Sequence, residues 1–276
     1  MVEKTQRKWL ALALLATVQF MVILDIAIVN VALPSIQTDL GFSQENLQWV
    51  ISAYALFFGG FLLLGGRAAD LLGRRRLFIV GLIVFSASSL LSGFAWSEES
   101  LIVARAIQGF GAAIITPAAL SILMTTFSEG RDRNAALGVW GGVGAFGAVA
   151  GVLLGGILTD AFSWEWIFYI NVPVGLAALA LTPLLLTESR DAHVKTFDAL
   201  GAVLVTAGLV TLVFAITQAN EYGWTSAATI GLFTSAGALL AGFVGWELRA
   251  KEPLVPFSIF RVKTLTAANI SGLILG

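Results

Sequence analysis

An all-α polytopic membrane protein is what this sequence predicts, on three observations. Hydrophobic residues make up 58% of the chain and charged residues 12%, about half the charged share of a typical soluble domain. The charges gather in short stretches and leave eight long runs, each meeting the ~20 residues that a helix needs to cross ~30 Å of hydrocarbon. Basic and acidic connections alternate between those runs, as in a chain threaded back and forth through a bilayer.

The first run, 9–38, carries a single charge, Asp25. It is too long for a signal peptide, and Leu33-Pro34 stands where a small-residue cleavage site would be needed, so it is read as a retained helix. Uncharged runs follow at 46–66, 77–97, 106–128, 134–159, 166–187, 199–220 and 222–246. A ninth begins after Lys263 and reaches Gly276 too soon to complete a crossing, so the chain is expected to end inside a helix. Of the 16 lysines and arginines, all but Arg105 lie in the N-terminal tail or after the second, fourth, sixth and eighth runs. The other connections hold only acids: Asp39, Glu45, Glu98, Glu99, Asp160, Glu165 and Glu221. The positive-inside rule then predicts a multi-pass cell-membrane protein with a cytoplasmic N-terminus.

Loop lengths suggest the domain organisation. A six-helix bundle over 1–187 is followed by a charged linker, 188–198, of the kind that separates bundles. Two additional spans at 199–246, a cytoplasmic loop at 247–263 and a partial ninth helix at 264–276 complete the chain. His193, the only histidine, falls in the linker and reads as a solvated position; there is no cysteine. No His/Asp/Glu cluster has metal-ligand spacing and no nucleophile sits beside a base, which speaks against an enzyme, a metal site or a cofactor. Nothing in the pattern asks for nucleic acid.

The chemistry concentrates at a few polar residues at membrane depth. A charge such as Asp25 costs several kcal/mol there unless it is paired, hydrated or protonated. It is therefore a proton- or ion-site candidate, against the plainer reading of a structural hydrogen bond. Arg105, inside the fourth run, either snorkels outward or finds a partner. Counted from Leu33 and from Ser97, Asp25 and Arg105 each lie eight residues in, ~12 Å at 1.5 Å per residue. Pairing is thus plausible, and Gln108, three residues on, shares nearly the same face. Asn30, Gln108 and Asn171 are candidates for contact with a cavity or substrate; Asn171 could equally bond backbone that Pro173 frees within its span.

Three further segments stand out. GGRAADLLGRRRL, 65–77, places Asp70 between Gly66 and Gly73, glycines that permit a tight turn, and ends in Arg74, Arg75 and Arg76. Gly147, Gly151 and Gly155, with Gly156 beside them, form an i, i+4 small-residue stripe suited to close helix packing in lipid. SWEWIFYINVPVG, 163–175, puts Trp164, Trp166 and Tyr169 where an interfacial aromatic belt would lie.

These segments carry a resemblance. Asp70, Gly73 and the following arginines resemble the loop signature GxLaDrxGrk of the major facilitator superfamily. Arg105-Ala-Ile-Gln-Gly is similar to its helix 4 motif, and Gly147 to Gly156 to the helix 5 antiporter motif GxxxGPxxGG. Asp25 to Pro34 and Trp164 to Gly175 resemble LDxTVVNVALP and WRWIFxINVPxG of the fourteen-helix drug:proton branch, the EmrB/QacA-like group. Val152 departs from the motif proline and Glu165 from the motif arginine. The resemblance implies proton-driven export of small lipophilic or cationic compounds without a cofactor. Asp25 and Arg105 would couple protons, and Gly66, Asp70, Gly73, Arg74 and Arg75 would form a conformational gate. It also implies that the Gly147/Gly151/Gly155 face is left uncovered or meets the two additional helices, and that six further helices belong after this sequence. The residues alone leave a proton-coupled importer or facilitator, or a non-transporting membrane scaffold, as alternatives.

Overall fold

A computed structural model describes residues 2–191, 198–250, 253–255, 257–261 and 271. Among them every regular element is helical. Eight helical segments are long and apolar enough to cross a membrane, at the eight runs read from the sequence. The expected partial ninth helix lies outside the described residues, Ser271 apart, and so does His193.

The first span is α1, Val2–Leu40. It continues through Pro34, so its outer end lies seven residues beyond Leu33, the position assumed from the sequence, and Asp39 belongs to its last turn. The second span joins a short α2, Gln44–Leu47, to α3, Trp49–Leu72. The third, fourth and fifth are α4, Arg74–Gly93, α5, Glu98–Thr126, and α6, Arg131–Ala161. The sixth is divided at Ile170 into α7, Trp166–Tyr169, and α8, Asn171–Leu185. Pro173 falls in the first turn of α8, where a missing N–H leaves no helical bond unmade. The last two spans are α9, Ala199–Tyr222, and α10, Ala227–Glu247.

Helix α5 packs on α3 and α4, α1 packs on α6, α8 and α5, and α8 returns against α4. The α9/α10 pair attaches to the outside of α3, where Trp49 meets Phe214 and Gly60 meets Val210. Long-range bonds sort the connections into two ends. Lys8 reaches Asp132, Arg7 reaches the Leu184 carbonyl, and Asp191 N–H donates to the Asp70 carbonyl at one end. At the other, Ser43 and Asn46 donate to Glu98, and Trp164 Nε1 donates to Asp39. The basic connections share one end and the acidic ones the other, as alternation requires.

Two sequence expectations are corrected by packing. The stripe of Gly147, Gly151 and Gly155 is buried, and it is α1 that covers it: Cβ atoms built there would meet Ile23, Ala27 and the Ile28 carbonyl respectively. It is internal packing within the bundle, because the pattern encodes close approach without naming the partner. The face of α6 left outside is the large-residue one, with Phe146, Val149, Val152 and Leu153 exposed; Gly156 has nothing within 4 Å of an added Cβ. Second, Gly66 forms no turn. It lies inside α3 against Pro117, and Gly73 alone makes the turn, at φ +114°.

Candidate functional site

Five helices deliver polar side chains to one point inside the bundle. Asp25 comes from α1, Tyr54 from α3, Ser89 from α4, Arg105 and Gln108 from α5, and Asn171 from the first turn of α8. Close approach of the backbones makes this possible: an added Cβ on Gly109 would lie 2.3 Å from the Tyr54 carbonyl oxygen, and one on Gly111 2.7 Å from the Phe85 nitrogen. Glycine at those positions lets α5 settle between α3 and α4.

At the centre Arg105 Nη1 donates to Asp25 Oδ2 at 2.6 Å, with side-chain exposures of 1% and 0%. The other carboxylate oxygen, Oδ1, accepts from Gln108 Nε2 and from Asn171 Nδ2, both at 2.8 Å. Gln108 and Asn171 also each donate to Ser89 Oγ at 3.1 Å, while Ser89 donates to the Phe168 carbonyl. Arg105 Nη1 reaches Gln108 Oε1, and its Nε donates to the Val50 carbonyl. The guanidinium faces the Tyr54 ring, 4.3 Å from the centroid, and lies 5.6 Å from that of Phe168. Two charges removed from water each cost several kcal/mol, and mutual attraction offsets this only with full hydrogen bonding. The carboxylate here accepts three donors. Such a cluster can hold a charge pair at membrane depth and can exchange it for a neutral acid on protonation.

The sequence candidates separate accordingly. Arg105 does not snorkel; Asp25, Arg105, Gln108 and Asn171 meet, and Asn171 serves the carboxylate rather than loose backbone. Asn30 lies outside this cluster on an exposed face, donating to the Ile26 carbonyl one turn back. Ser89 and Tyr54 were not singled out in the sequence. Ser86 and Ser89, buried at i, i+3 in α4, were the available signal for the first; an aromatic on α3 offered none.

At the basic end, Gly73 turns the chain so that Arg74 Nε and Nη2 both reach Asp70 Oδ1, at 2.9 and 2.8 Å. The segment after α8 closes over this turn. Glu188 accepts from the N–H groups of Arg75 and Arg76, the unpaired donors that begin α4, and Ser189 O accepts from Arg74 N–H. The Arg75 guanidinium donates to the Leu186 carbonyl. The start of the charged linker is thus bound to the motif, and Glu188 was missed because its partners are backbone groups. At the acidic end Trp164 is buried in the bundle, and Asp39, Thr159 and Glu165 line an open cleft of about 630 Å3 beside it.

Fold and site together define a class: a helical membrane bundle, eight spans among the described residues, with a fully buried, hydrogen-bonded ion pair at its core. More specifically, the chain belongs to the Major Facilitator Superfamily, whose family pattern matches residues 15–274. Membership puts it among membrane transporters rather than enzymes. It is 44% identical over 250 residues to the puromycin resistance protein pur8 of Streptomyces alboniger, covering 91% of this chain and 50% of that one. It is 43% identical to the cephamycin export protein CmcT of Amycolatopsis lactamdurans over 99% of this chain and 57% of the relative. The tetracenomycin C resistance and export protein of Streptomyces glaucescens is 38% identical over 96% of this chain and 49% of its own length. The chain spans about half the length of the curated relatives it matches. A crystal structure of a peptide transporter, POT, in complex with sulfate superimposes with a TM-score of 0.64 at 17% identity, over 87% of this chain and 53% of the other. That likeness concerns the fold alone.

Proposed function

We propose that this chain provides the proton-coupling half of a small-molecule exporter working as a proton antiporter. The observation that carries the reading is the Asp25–Arg105 pair, wholly buried and held by Gln108 and Asn171. In the charged state Arg105, Gln108 and Asn171 hold the carboxylate. A proton reaching Asp25 removes the negative charge, weakens the pair and leaves Arg105 to other partners, which biases the bundle towards its other access state. The proton gradient is the energy source, with no cofactor. Relatives named for antibiotic resistance and export support the direction and a small-molecule cargo; a lipophilic or cationic one is what the family resemblance implies.

The α9/α10 pair on the outside of α3 suits the two additional helices of the fourteen-helix branch, after a bundle boundary at 188–198. The shared end of the basic connections suits a cytoplasmic N-terminus in the cell membrane. Asp70, Arg74 and Glu188 form the gate at that end. The test is ethidium efflux from drug-sensitised cells expressing the chain alone or with the remaining half of the cephamycin exporter. Efflux that collapses with the proton gradient is expected; gradient-independent efflux, or ethidium uptake, would overturn the reading.

A further inference from the structure

We propose that α1 and α8 form, with the basic pocket at their end, a binding site for one anionic phospholipid; this rests on reading the eight helices as membrane spans. A groove of about 490 Å3 runs between the two helices, lined by Leu10, Ala13 and Thr17 from α1 and Pro173, Ala177 and Leu181 from α8. Leu10 and Leu181 are exposed along it. From Leu10 to Thr17 the helix rises ~10 Å, most of the ~15 Å depth of one hydrocarbon leaflet.

A second cavity, of about 470 Å3, adjoins the groove at the basic end, and Leu185 lines both. Its walls are Arg7, Lys8, Thr125, Thr126, Thr187 and Ser189. Arg7 Nη2 donates to the Leu184 carbonyl, which fixes its guanidinium where α8 and the groove end. Lys8 is held by the exposed Asp132, and the Thr125 and Thr126 hydroxyls already donate to α5 carbonyls. With Lys8 paired, the Arg7 guanidinium is the positive charge offered to a headgroup, and it selects negative charge over a merely polar one. A soluble anion would fill only the pocket and an apolar helix only the groove. A phospholipid fills both, with its phosphate at Arg7 and an acyl chain along Ala13 and Ala177.

The experiment is native mass spectrometry of the purified full chain, released from micelles containing phosphatidylglycerol or phosphatidylcholine of matched acyl chains. Wild type should retain one phosphatidylglycerol with at least fivefold preference. Arg7→Gln should weaken that retention about fivefold, the contribution of one cation at an anionic surface, and weaken phosphatidylcholine retention by less. Ala177→Trp, or Thr17→Trp should the first misfold, fills the groove and should lose both lipids while far-ultraviolet circular dichroism stays unchanged. Equal retention of the two lipids by wild type would overturn the proposal. So would phosphatidylglycerol retention that is indifferent to Arg7→Gln, or that survives both groove-filling variants and yields to inorganic phosphate. Because none of these readouts involves transport, failure here is separable from failure of the antiporter reading.

Discussion

Arg105→Ala removes the cation from the most demanding site in the molecule. The side chain's ion pair with Asp25, its bonds to Gln108 and the Val50 carbonyl, and its ring contacts with Tyr54 and Phe168 all go. Asp25 Oδ1 keeps Gln108 and Asn171, but Oδ2 loses its 2.6 Å partner in a position without solvent exposure. Removing one member of a buried pair costs about 3–5 kcal/mol, since the remaining charge is desolvated and unpaired. At roughly 2–4 °C per kcal/mol for a chain of this size, the melting temperature of the purified protein should fall by roughly 6–20 °C at neutral pH. Asp25→Asn combined with Arg105→Met should recover much of the loss, because it removes both charges together. The assay is thermal unfolding in one detergent at neutral pH. A loss under 2 °C in Arg105→Ala, or no recovery in the double variant, would refute the reasoning.

Two further outcomes follow from packing and capping. Gly151→Ala places a Cβ 2.7 Å from that of Ala27 and 2.9 Å from the Leu24 carbonyl, whereas Gly142 has nothing within 4 Å; the first variant should lower the melting temperature and the second should not. Comparable melting of the two would contradict the α1/α6 contact. Glu188→Ala strips the acceptor from the first N–H groups of α4 and should cost about 1 kcal/mol, with faster hydrogen exchange at Arg75 and Arg76; unchanged exchange would mean that the 188–191 segment does not dock there.

Much of this was legible in the sequence because a bilayer punishes charge. Uncharged length marked each span, and alternating basic and acidic connections marked the two ends. The expense of lone charges at depth singled out Asp25 and Arg105, and spacing added Gln108. The depth estimate reached the right pair although α1 runs to Leu40, since the two side chains are matched by packing across α1 and α5 rather than by distance from helix ends. Residues whose roles depend on a neighbour were not legible. Ser89 is one of four buried serines of α4, Glu188 acts on backbone groups, and the glycine stripe names no partner.

The central claim, that Asp25 carries the coupled proton, is tested most directly in everted membrane vesicles by following proton movement with a pH-sensitive dye as ethidium is added. The wild-type chain, co-expressed with the remaining half of the cephamycin exporter, should dissipate an imposed pH gradient when ethidium is present. Asp25→Asn keeps an amide in hydrogen-bonding reach of Gln108 and Asn171, mimicking the permanently protonated acid, and should fold and bind ethidium yet move no protons. Ethidium-dependent proton movement at the wild-type rate in Asp25→Asn would contradict the account.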